Sequence, residues 1–200
     1  SSFKNDLKNA NALLKIISEN KPVNFLEIGV LEGATSRNIC EVLYLINGNK
    51  FNYIGIDIFN KKNFIENKNE FTPISKKINN PLKWFLFRLI LKMDPHSKES
   101  VEFLLRKFKD SINIYEGLSK NILGQINLKK IDFVFLDGGH SYKTVKDDLN
   151  ILTNNLKKNS LIICDDYNVP EYGVKKAVDE MIKENYFKDL GRFALIKIKK

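Results

Sequence analysis

The residues best able to do chemistry in this 200-residue chain follow two apolar runs in its second half. Asp137 and His140 come after the run FVFL. Asp165 and Asp166 come directly after LIIC. If these runs are neighbouring parallel strands, their carboxyl ends meet and bring three carboxylates close to a histidine. Protonation, a basic partner or a divalent cation must then offset the like charges, and oxygen ligands of this kind suit Mg²⁺, Mn²⁺ or Ca²⁺.

A second group of candidate residues lies in the nonapeptide FLEIGVLEG, residues 25–33. Glu27 stands near the end of an apolar run, and Gly29 and Gly33 bracket the turn that follows. Glycine is needed where the backbone takes unusual dihedrals or a ligand approaches closely, and the start of the next helix favours a charged or polar ligand group. The spacing differs from the G-x-G-x-x-G of dinucleotide-binding proteins, which disfavours a Rossmann oxidoreductase. An ordinary strand–turn–helix that uses glycine for packing is the alternative.

Two further strand ends carry polar residues. Asp57 lies in the run FNYIGIDIF, residues 51–59, and EGLS follows a later apolar run at residues 116–119. An acid at the position of Asp57 can accept hydrogen bonds from both ribose hydroxyls of a nucleoside. A solvated acid at a strand end is the simpler alternative.

The elements that must position these residues alternate between strands and helices. Periodicity predicts helices over 6–20, 35–45, 145–156 and 174–184, and strands over 24–28, 51–59, 112–117, 131–140, 160–167 and 193–200. Such alternation indicates a mostly parallel sheet covered on both faces, with ligands at the carboxyl ends of the strands. We find no repeat and no dividing linker, so a single domain over residues 1–200 is predicted.

Residues 60–110 form an irregular insertion in this pattern. Its segment 82–93 is very apolar, is bounded by Pro81 and Pro95, and is too short to span a bilayer. Three interpretations stay open: a lid helix over the substrate, a contact within a homodimer, or a membrane-surface helix. Apolar residues go most of the way round its helical wheel, which favours burial. His96 is interpreted as a loop residue.

The motif in FLEIGVLEG resembles the first motif of class I S-adenosylmethionine-dependent methyltransferases. DGGHSY, residues 137–142, and the later DDY resemble motifs of metal-dependent O-methyltransferases that act on hydroxyls of sugars and other secondary metabolites. The resemblance implies a Rossmann-like class I fold, with a mostly parallel seven-stranded sheet and a helical insertion between strands 2 and 3. It covers residues 22–60 and 110–200. Gly139 departs from the family pattern and gives the turn before His140 more freedom.

The resemblance also implies cofactors and roles. S-adenosyl-L-methionine would be the cofactor, with a divalent cation, Mg²⁺ first, held by Asp137, Asp165 and Asp166. Together with Asp137, His140 would be catalytic, as the general base. The residues that would bind the cofactor are Glu27, Gly29, Gly33, Asp57, Gly117, Leu118, Ser119 and Asp137. Among them, Gly117, Leu118 and Ser119 match the family segment that contacts the adenine. The simpler alternatives are that Asp137 helps to cap the next helix, that Asp165 pairs with a lysine, and that His140 is an ordinary turn residue.

Composition narrows the partners. The net charge of +9 comes mainly from lysines scattered along the chain, which disfavours nucleic acid as the substrate. Methyltransferases acting on exocyclic amines often carry an Asn-Pro-Pro-Tyr-like turn where this chain has Asp-Gly-Gly-His, so a small-molecule hydroxyl acceptor is expected. An RNA or nucleobase methyltransferase and a non-catalytic cofactor-binding protein remain alternatives. The absence of a long apolar run or a signal-like start predicts a cytoplasmic protein with no transmembrane segment.

Overall fold

The computed structural model describes residues 7–59, 82, 85–90, 92–182 and 185–199. The strands are β1 (Asn24–Ile28), β2 (Asn52–Asp57), β3 (Ile112–Glu116), β4 (Phe133–Leu136), β5 (Leu161–Cys164), β6 (Tyr186–Leu190) and β7 (Phe193–Lys197). They form one seven-stranded sheet in the order β3-β2-β1-β4-β5-β7-β6. The first five strands are parallel, whereas β7 runs antiparallel to both of its neighbours.

Helices cover both faces of this sheet. They are α1 (Leu7–Asn20), α2 (Ala34–Asn47), α3 (Lys98–Leu104), α4 (Ser119–Leu123), α5 (Tyr142–Asn155) and α6 (Val174–Met181). Alternate residues of β1 point to opposite faces, as a pleated strand requires. Leu26 packs in the apolar cluster that contains residues of α5 and α6, and Phe25 packs in the cluster that contains residues of α1, α2 and α3. The predicted mostly parallel α/β sheet is therefore confirmed. None of the helices in the described ranges is long and apolar enough to cross a membrane.

β1 has the predicted bounds, whereas the other predicted strands end earlier than expected. β4 stops at Leu136, so Asp137 and His140 lie in the loop beyond the strand. Sequence analysis missed β6, an edge strand whose five residues all lie outside the buried core. A strand with no buried face lacks the apolar alternation by which strands are found.

The insertion between β2 and β3 is only partly described. Residues 60–81, 83, 84 and 91 lie outside the described residues, so the predicted helical insertion is not confirmed as a whole. Within the predicted helix 82–93, the segment Leu86–Ile90 forms a π-helix. Four apolar side chains of the segment are between 50% and 80% exposed: Leu82, Phe85, Leu89 and Ile90. The expectation that the segment is buried is wrong for these four.

Candidate active site

The ends of the central strands are joined by backbone hydrogen bonds, which align the residues that follow them. The amide of Gly29 donates to the carbonyl of Ile56 at 2.9 Å. The amide of Asp137 donates to Ile28 at 2.8 Å, and that of Asp165 donates to Leu136 at 3.0 Å. The glycine turn after β1 and the acids after β4 and β5 thus lie along one edge of the sheet.

Gly29 brings the first two of these loops into direct contact. Its φ is +99°, and a Cβ at this position would lie 2.1 Å from the Asp137 carbonyl oxygen. A side chain cannot occupy that space, so glycine is required both by the dihedral and by the close approach. The turn after β1 and the acid-bearing loop after β4 are therefore packed directly against each other at this point.

Glu27, the acid of the first motif, is completely buried in β1. Its Oε2 accepts a hydrogen bond from the Tyr53 hydroxyl of β2. Its Oε1 is also buried and has no hydrogen-bond partner within the described part of the chain. Burial raises the pKa of Glu27 to about 7, and the hydroxyls of Tyr53 and Ser36 offset only part of that effect. A buried carboxylate with one unsatisfied oxygen is costly, so this site favours a ligand that brings a donor or a positive charge.

Asp57, at the end of β2, fixes the shape of the glycine turn. Its Oδ2 accepts from the Leu31 amide at 2.7 Å and its Oδ1 accepts from the Phe59 amide at 2.6 Å. Leu31 has φ +54°, a left-handed conformation that is strained for a leucine and needs such support. Burial raises the pKa of Asp57, while these amides lower it in part. The carboxylate has four lone-pair sites and three backbone amides act on it, those of Leu31, Phe59 and Val30, so one site is left for a ligand hydroxyl.

The predicted adenine segment after β3 lies next to Asp57. The Gly117 amide donates to the Asp57 carbonyl at 2.9 Å, and Leu118 precedes the first turn of α4. The Ser119 hydroxyl donates to Asp148 of α5 at 2.6 Å. These contacts place the segment beside the turn, and its role in binding adenine stays a prediction.

The second group of acids is more compact. Asp137, His140 and Asp166 each offer one ligand atom, and these atoms lie within 4.8 Å of one another. The His140 Nε2 lies 3.1 Å from Asp166 Oδ2, and the His140 ring contacts the Tyr172 ring at a centroid distance of 4.2 Å with an angle of 31° between the ring planes. Two carboxylates and an imidazole at these separations fit a divalent cation. The suggestion that Asp137 caps α5 is not supported, because Ser141 is the capping residue.

Asp165 is held differently from the other two acids. Its side chain is 1% exposed, and both of its oxygens accept from the guanidinium of Arg192. The same guanidinium lies 2.7 Å from Asp166 Oδ1. The simpler alternative predicted that Asp165 pairs with a lysine, whereas its observed partner is Arg192. Asp165 as a cation ligand therefore stays a prediction, while its contact with Arg192 is what the structure shows.

The electrostatics of this group follow from burial and like charge. Burial, and then the charges of Asp165 and Asp166, hold the pKa of Asp137 well above its usual range. Burial also raises the pKa of Asp165, although the Arg192 guanidinium acts in the opposite direction. Asp166 has φ +54° and donates its amide to Asp165 Oδ1 at 2.8 Å, so the pair is held in a strained turn.

We expected Gly139 to give the turn before His140 more freedom, but the structure shows that this glycine is closely packed. A Cβ at residue 139 would lie 2.6 Å from Cγ2 of Thr144 in α5. The φ angle of Gly139 is not positive, so glycine is required here by close packing and not by the backbone conformation. The loop that carries His140 is thereby packed against the following helix, and the His140 carbonyl accepts from the Gly173 amide at 2.9 Å.

Two residues at this edge were not found as site residues by sequence reasoning. Arg192 lies in the turn between β6 and β7, and the available signal was that it is a rare arginine in a lysine-rich chain, directly after Gly191. His96 was interpreted as a loop residue, which it is, but its Nε2 lies 3.4 Å from Glu32 in the glycine turn. No local pattern links residue 96 to residue 32, so only the fold reveals that contact.

Comparison with known proteins supports these features. A family model described as a methyltransferase domain matches residues 26–167. No curated protein matches the sequence.

Three solved structures illustrate the similarity of the fold. An O-methyltransferase from Bacillus cereus in complex with SAH has a TM-score of 0.64 at 13% identity, covering 100% of this chain and 84% of that one. The O-methyltransferase TomG from Streptomyces achromogenes, involved in tomaymycin synthesis and bound to SAM, has a TM-score of 0.61 at 13% identity, covering 96% and 80%. A TDP-rhamnose 3'-O-methyltransferase of calicheamicin biosynthesis has a TM-score of 0.60 at 15% identity, covering 97% and 80%. At these identities the similarity shows a shared fold.

Proposed function

We propose, since this chain belongs to the methyltransferase domain family, that it transfers a methyl group from S-adenosylmethionine to a small-molecule hydroxyl. The acceptor would be of the sugar or secondary-metabolite type, and a divalent cation would assist. One observation carries the proposal: Gly29 of the turn after β1 touches the backbone of Asp137, the first acid of the second group. A cofactor seated on that turn lies within reach of an acceptor held by the acids.

The first group of acids suits the cofactor. The unsatisfied buried Oε1 of Glu27 would accept from the ammonium group of the methionine part, which supplies both a donor and a positive charge. Asp57 would accept from a ribose hydroxyl with its remaining lone-pair site. The solved structures with SAH and SAM bound have the same fold and support this assignment.

The second group suits a cation and a base. Asp137 and Asp166 would hold the cation, Mg²⁺ first, which when bound lowers the pKa of the acceptor hydroxyl. Asp165, the third predicted cation ligand, would also hold the neighbouring Asp166 in place through their shared Arg192. His140 would accept the hydroxyl proton, and Asp166 at 3.1 Å would stabilise the imidazolium that results.

The reaction is a displacement at carbon. The acceptor oxygen forms a bond to the methyl carbon as the carbon–sulfur bond breaks, and the sulfonium becomes the neutral thioether of S-adenosylhomocysteine. The proton of the hydroxyl goes to His140. The remaining contribution of the protein is to position the two reactants, which is worth several kcal/mol when the geometry is fixed. The rigid contact at Gly29 provides such a fixed geometry.

The experiment has two stages. Calorimetry with S-adenosylmethionine and S-adenosylhomocysteine tests the cofactor, and binding of NAD in their place would contradict the proposal. Turnover with Mg²⁺ or EDTA is then measured on a panel of sugar and phenolic acceptors, with RNA as the competing substrate. Methylation of RNA alone would favour the nucleic-acid alternative.

Two variants separate the roles of the second group. Asp166→Ala should abolish both the EDTA-sensitive turnover and Mn²⁺ binding measured by electron paramagnetic resonance, because it removes a proposed ligand. His140→Ala should lower turnover at neutral pH by about 100-fold or more while Mn²⁺ binding persists. Loss of Mn²⁺ binding in His140→Ala would show that His140 is a ligand and not the base.

A further inference from the structure

The loop before α3 places His96 over the glycine turn after β1. The His96 Nε2 lies 3.4 Å from Glu32 Oε1, and the two side chains are only 13% and 29% exposed. This is the one histidine outside the acid group, since the chain has two in all. A loop histidine that only contacts solvent is seldom this largely buried.

The backbone around His96 is fixed before any ligand binds. The His96 amide donates to Asp94 Oδ1 at 3.0 Å, and Pro95 is buried. The Ser97 hydroxyl caps α3 by accepting from the Ser100 amide at 3.2 Å. Side chains of α3 then pack against the glycine turn: Val101 Cγ1 and Leu104 Cδ2 lie 3.2 and 3.3 Å from where a Cβ of Gly33 would be.

One nitrogen of His96 lacks a protein partner. Nε2 faces a carboxylate, which only accepts hydrogen bonds, so Nε2 carries a hydrogen, and in the tautomer with one ring proton Nδ1 is an acceptor. Nδ1 is buried and has no hydrogen-bond partner in the described structure. Leaving a buried acceptor unsatisfied is unfavourable, so the site favours a ligand donor at this point.

The position of His96 relative to Asp57 indicates which ligand group that is. Asp57 binds the amide of Leu31, and the next residue along the turn is Glu32, which faces His96. His96 and Asp57 therefore flank the same two residues of the turn. The part of the cofactor expected there is the ribose, which offers two hydroxyl donors.

We propose that His96 is a cofactor-binding residue, and that its Nδ1 accepts a hydrogen bond from a ribose hydroxyl of S-adenosylmethionine. Asp57 and His96 then hold the ribose from two sides, one from the sheet and one from the insertion. This inference rests on the proposed function, because it requires that the nucleoside occupy the turn. Glu32 acts as a positioning residue, since its carboxylate selects the tautomer that leaves Nδ1 free to accept.

A purely structural role for His96 gives a different expectation. If His96 only ties the loop to Glu32, its loss would lower the melting temperature and weaken every cofactor analogue equally. A hydrogen bond to the ribose couples the residue to one hydroxyl. The two cases are separated by removing the hydroxyl and the imidazole in turn and together.

The experiment is calorimetry with S-adenosylhomocysteine and its 2'-deoxy and 3'-deoxy analogues on the wild-type chain and on His96→Ala. We expect the wild-type chain to bind one analogue about 10-fold more weakly than the parent compound. His96→Ala should bind the parent about 10-fold more weakly, and removing the same hydroxyl should then cost little more. His96→Phe keeps the bulk of the ring and repeats the cycle if the alanine variant does not fold. Glu99→Gln, an exposed acid in the first turn of α3, is the matched control and should bind like wild type.

Two results would overturn the inference. An unchanged affinity of His96→Ala for S-adenosylhomocysteine would do so, as would an equal penalty for the missing hydroxyl in wild type and variant. Either result leaves the proposed function standing as long as the wild-type chain binds S-adenosylhomocysteine. If the wild-type chain binds none of these compounds, the proposed function fails and the inference fails with it.

Discussion

The two groups of acids at the carboxyl edge of the sheet are neutralised in different ways. In the first group, Glu27 is fully buried and its carboxyl is next to the hydroxyls of Tyr53 and Ser36, with no basic partner given by the described contacts of its carboxylate. In the second group, Arg192 contacts both Asp165 and Asp166. The second group thus has a cation from the chain itself, Arg192, whereas Glu27 in the first group has none among its described contacts.

This difference shows how one edge can hold two kinds of positive charge. In the proposed function, the sulfonium cofactor would enter and leave in every turnover, and a resident cation beside Glu27 would compete with its ammonium group. The second group has three carboxylates and one guanidinium, an excess of two negative charges when all are ionised, which a divalent cation would offset. The variants described below test this difference, beginning with the one expected to be most harmful.

Gly29→Ala should have the largest effect, because it forces the two groups apart. The new Cβ would lie 2.1 Å from the Asp137 carbonyl oxygen, at a φ that disfavours alanine. We expect a loss of at least about 3 kcal/mol in the free energy of unfolding, measured by urea denaturation. Gly48→Ala is the control: Gly48 also has a positive φ, +60°, but nothing lies within 4 Å of its Cβ position. Equal losses in the two variants would show that only the dihedral matters and that the contact does not.

Arg192→Gln should destabilise the second group by removing its resident cation. Asp165 would remain buried with no charge partner, and breaking a buried ion pair on one side costs about 3 kcal/mol. Arg192→Lys keeps the charge but loses the bidentate geometry, so an intermediate loss is expected. Arg106→Gln, on the exposed surface, should change the free energy of unfolding by less than about 0.5 kcal/mol. A neutral result for Arg192→Gln would mean that Asp165 is protonated and that the contrast drawn here is wrong.

Glu27→Gln should raise stability and lower cofactor affinity. Its pKa is raised from 4.5 to about 7 in the folded chain, so the folded state binds the proton more tightly than the unfolded state. The corresponding stability is present below pH 4.5 and is lost as the pH rises through 7, up to about 3 kcal/mol in total. At pH 8 the variant without cofactor should therefore be more stable than wild type, while S-adenosylmethionine binds about 10-fold more weakly or worse.

The measurement for Glu27 is urea denaturation at several pH values together with calorimetry. Glu19→Gln, whose side chain is 61% exposed, serves as the control and should change neither quantity. Parallel pH curves for wild type and Glu27→Gln would contradict the view that Glu27 is a buried acid in need of a cation.

Tyr53→Phe should have the smallest of these effects. It removes the donor to Glu27 Oε2 without changing the shape of the core, and we expect a loss of about 1–2 kcal/mol above pH 7. The loss should shrink at low pH, because protonated Glu27 needs less stabilisation. Tyr44→Phe, at a 37% exposed tyrosine of α2, is the matched control. A loss that is independent of pH would show that the two side chains are not coupled.

Most of the fold could be predicted from the sequence because its strands and helices have local hydrophobic patterns. The parallel strands are short apolar runs ending in acids or glycines, and Glu27, Asp57 and Asp137 could be placed at their ends from the sequence alone. β6 escaped because none of its five residues is buried, and most strand ends were predicted too long because periodicity defines the middle of a strand better than its last residue.

Local patterns in the sequence were therefore enough to predict most of the strands and helices along the chain, the glycine turn and the row of acids that follows the strands. The partners of these acids became visible only in the folded structure. Asp165 pairs with Arg192, 27 residues away, and Glu32 of the glycine turn faces His96, which lies in the insertion. The physical reason is that hydrophobic periodicity is a local property, repeated every two or three to four residues. The pairing of charges depends on which distant loops the packed sheet brings to the same edge, and no short stretch of sequence records that.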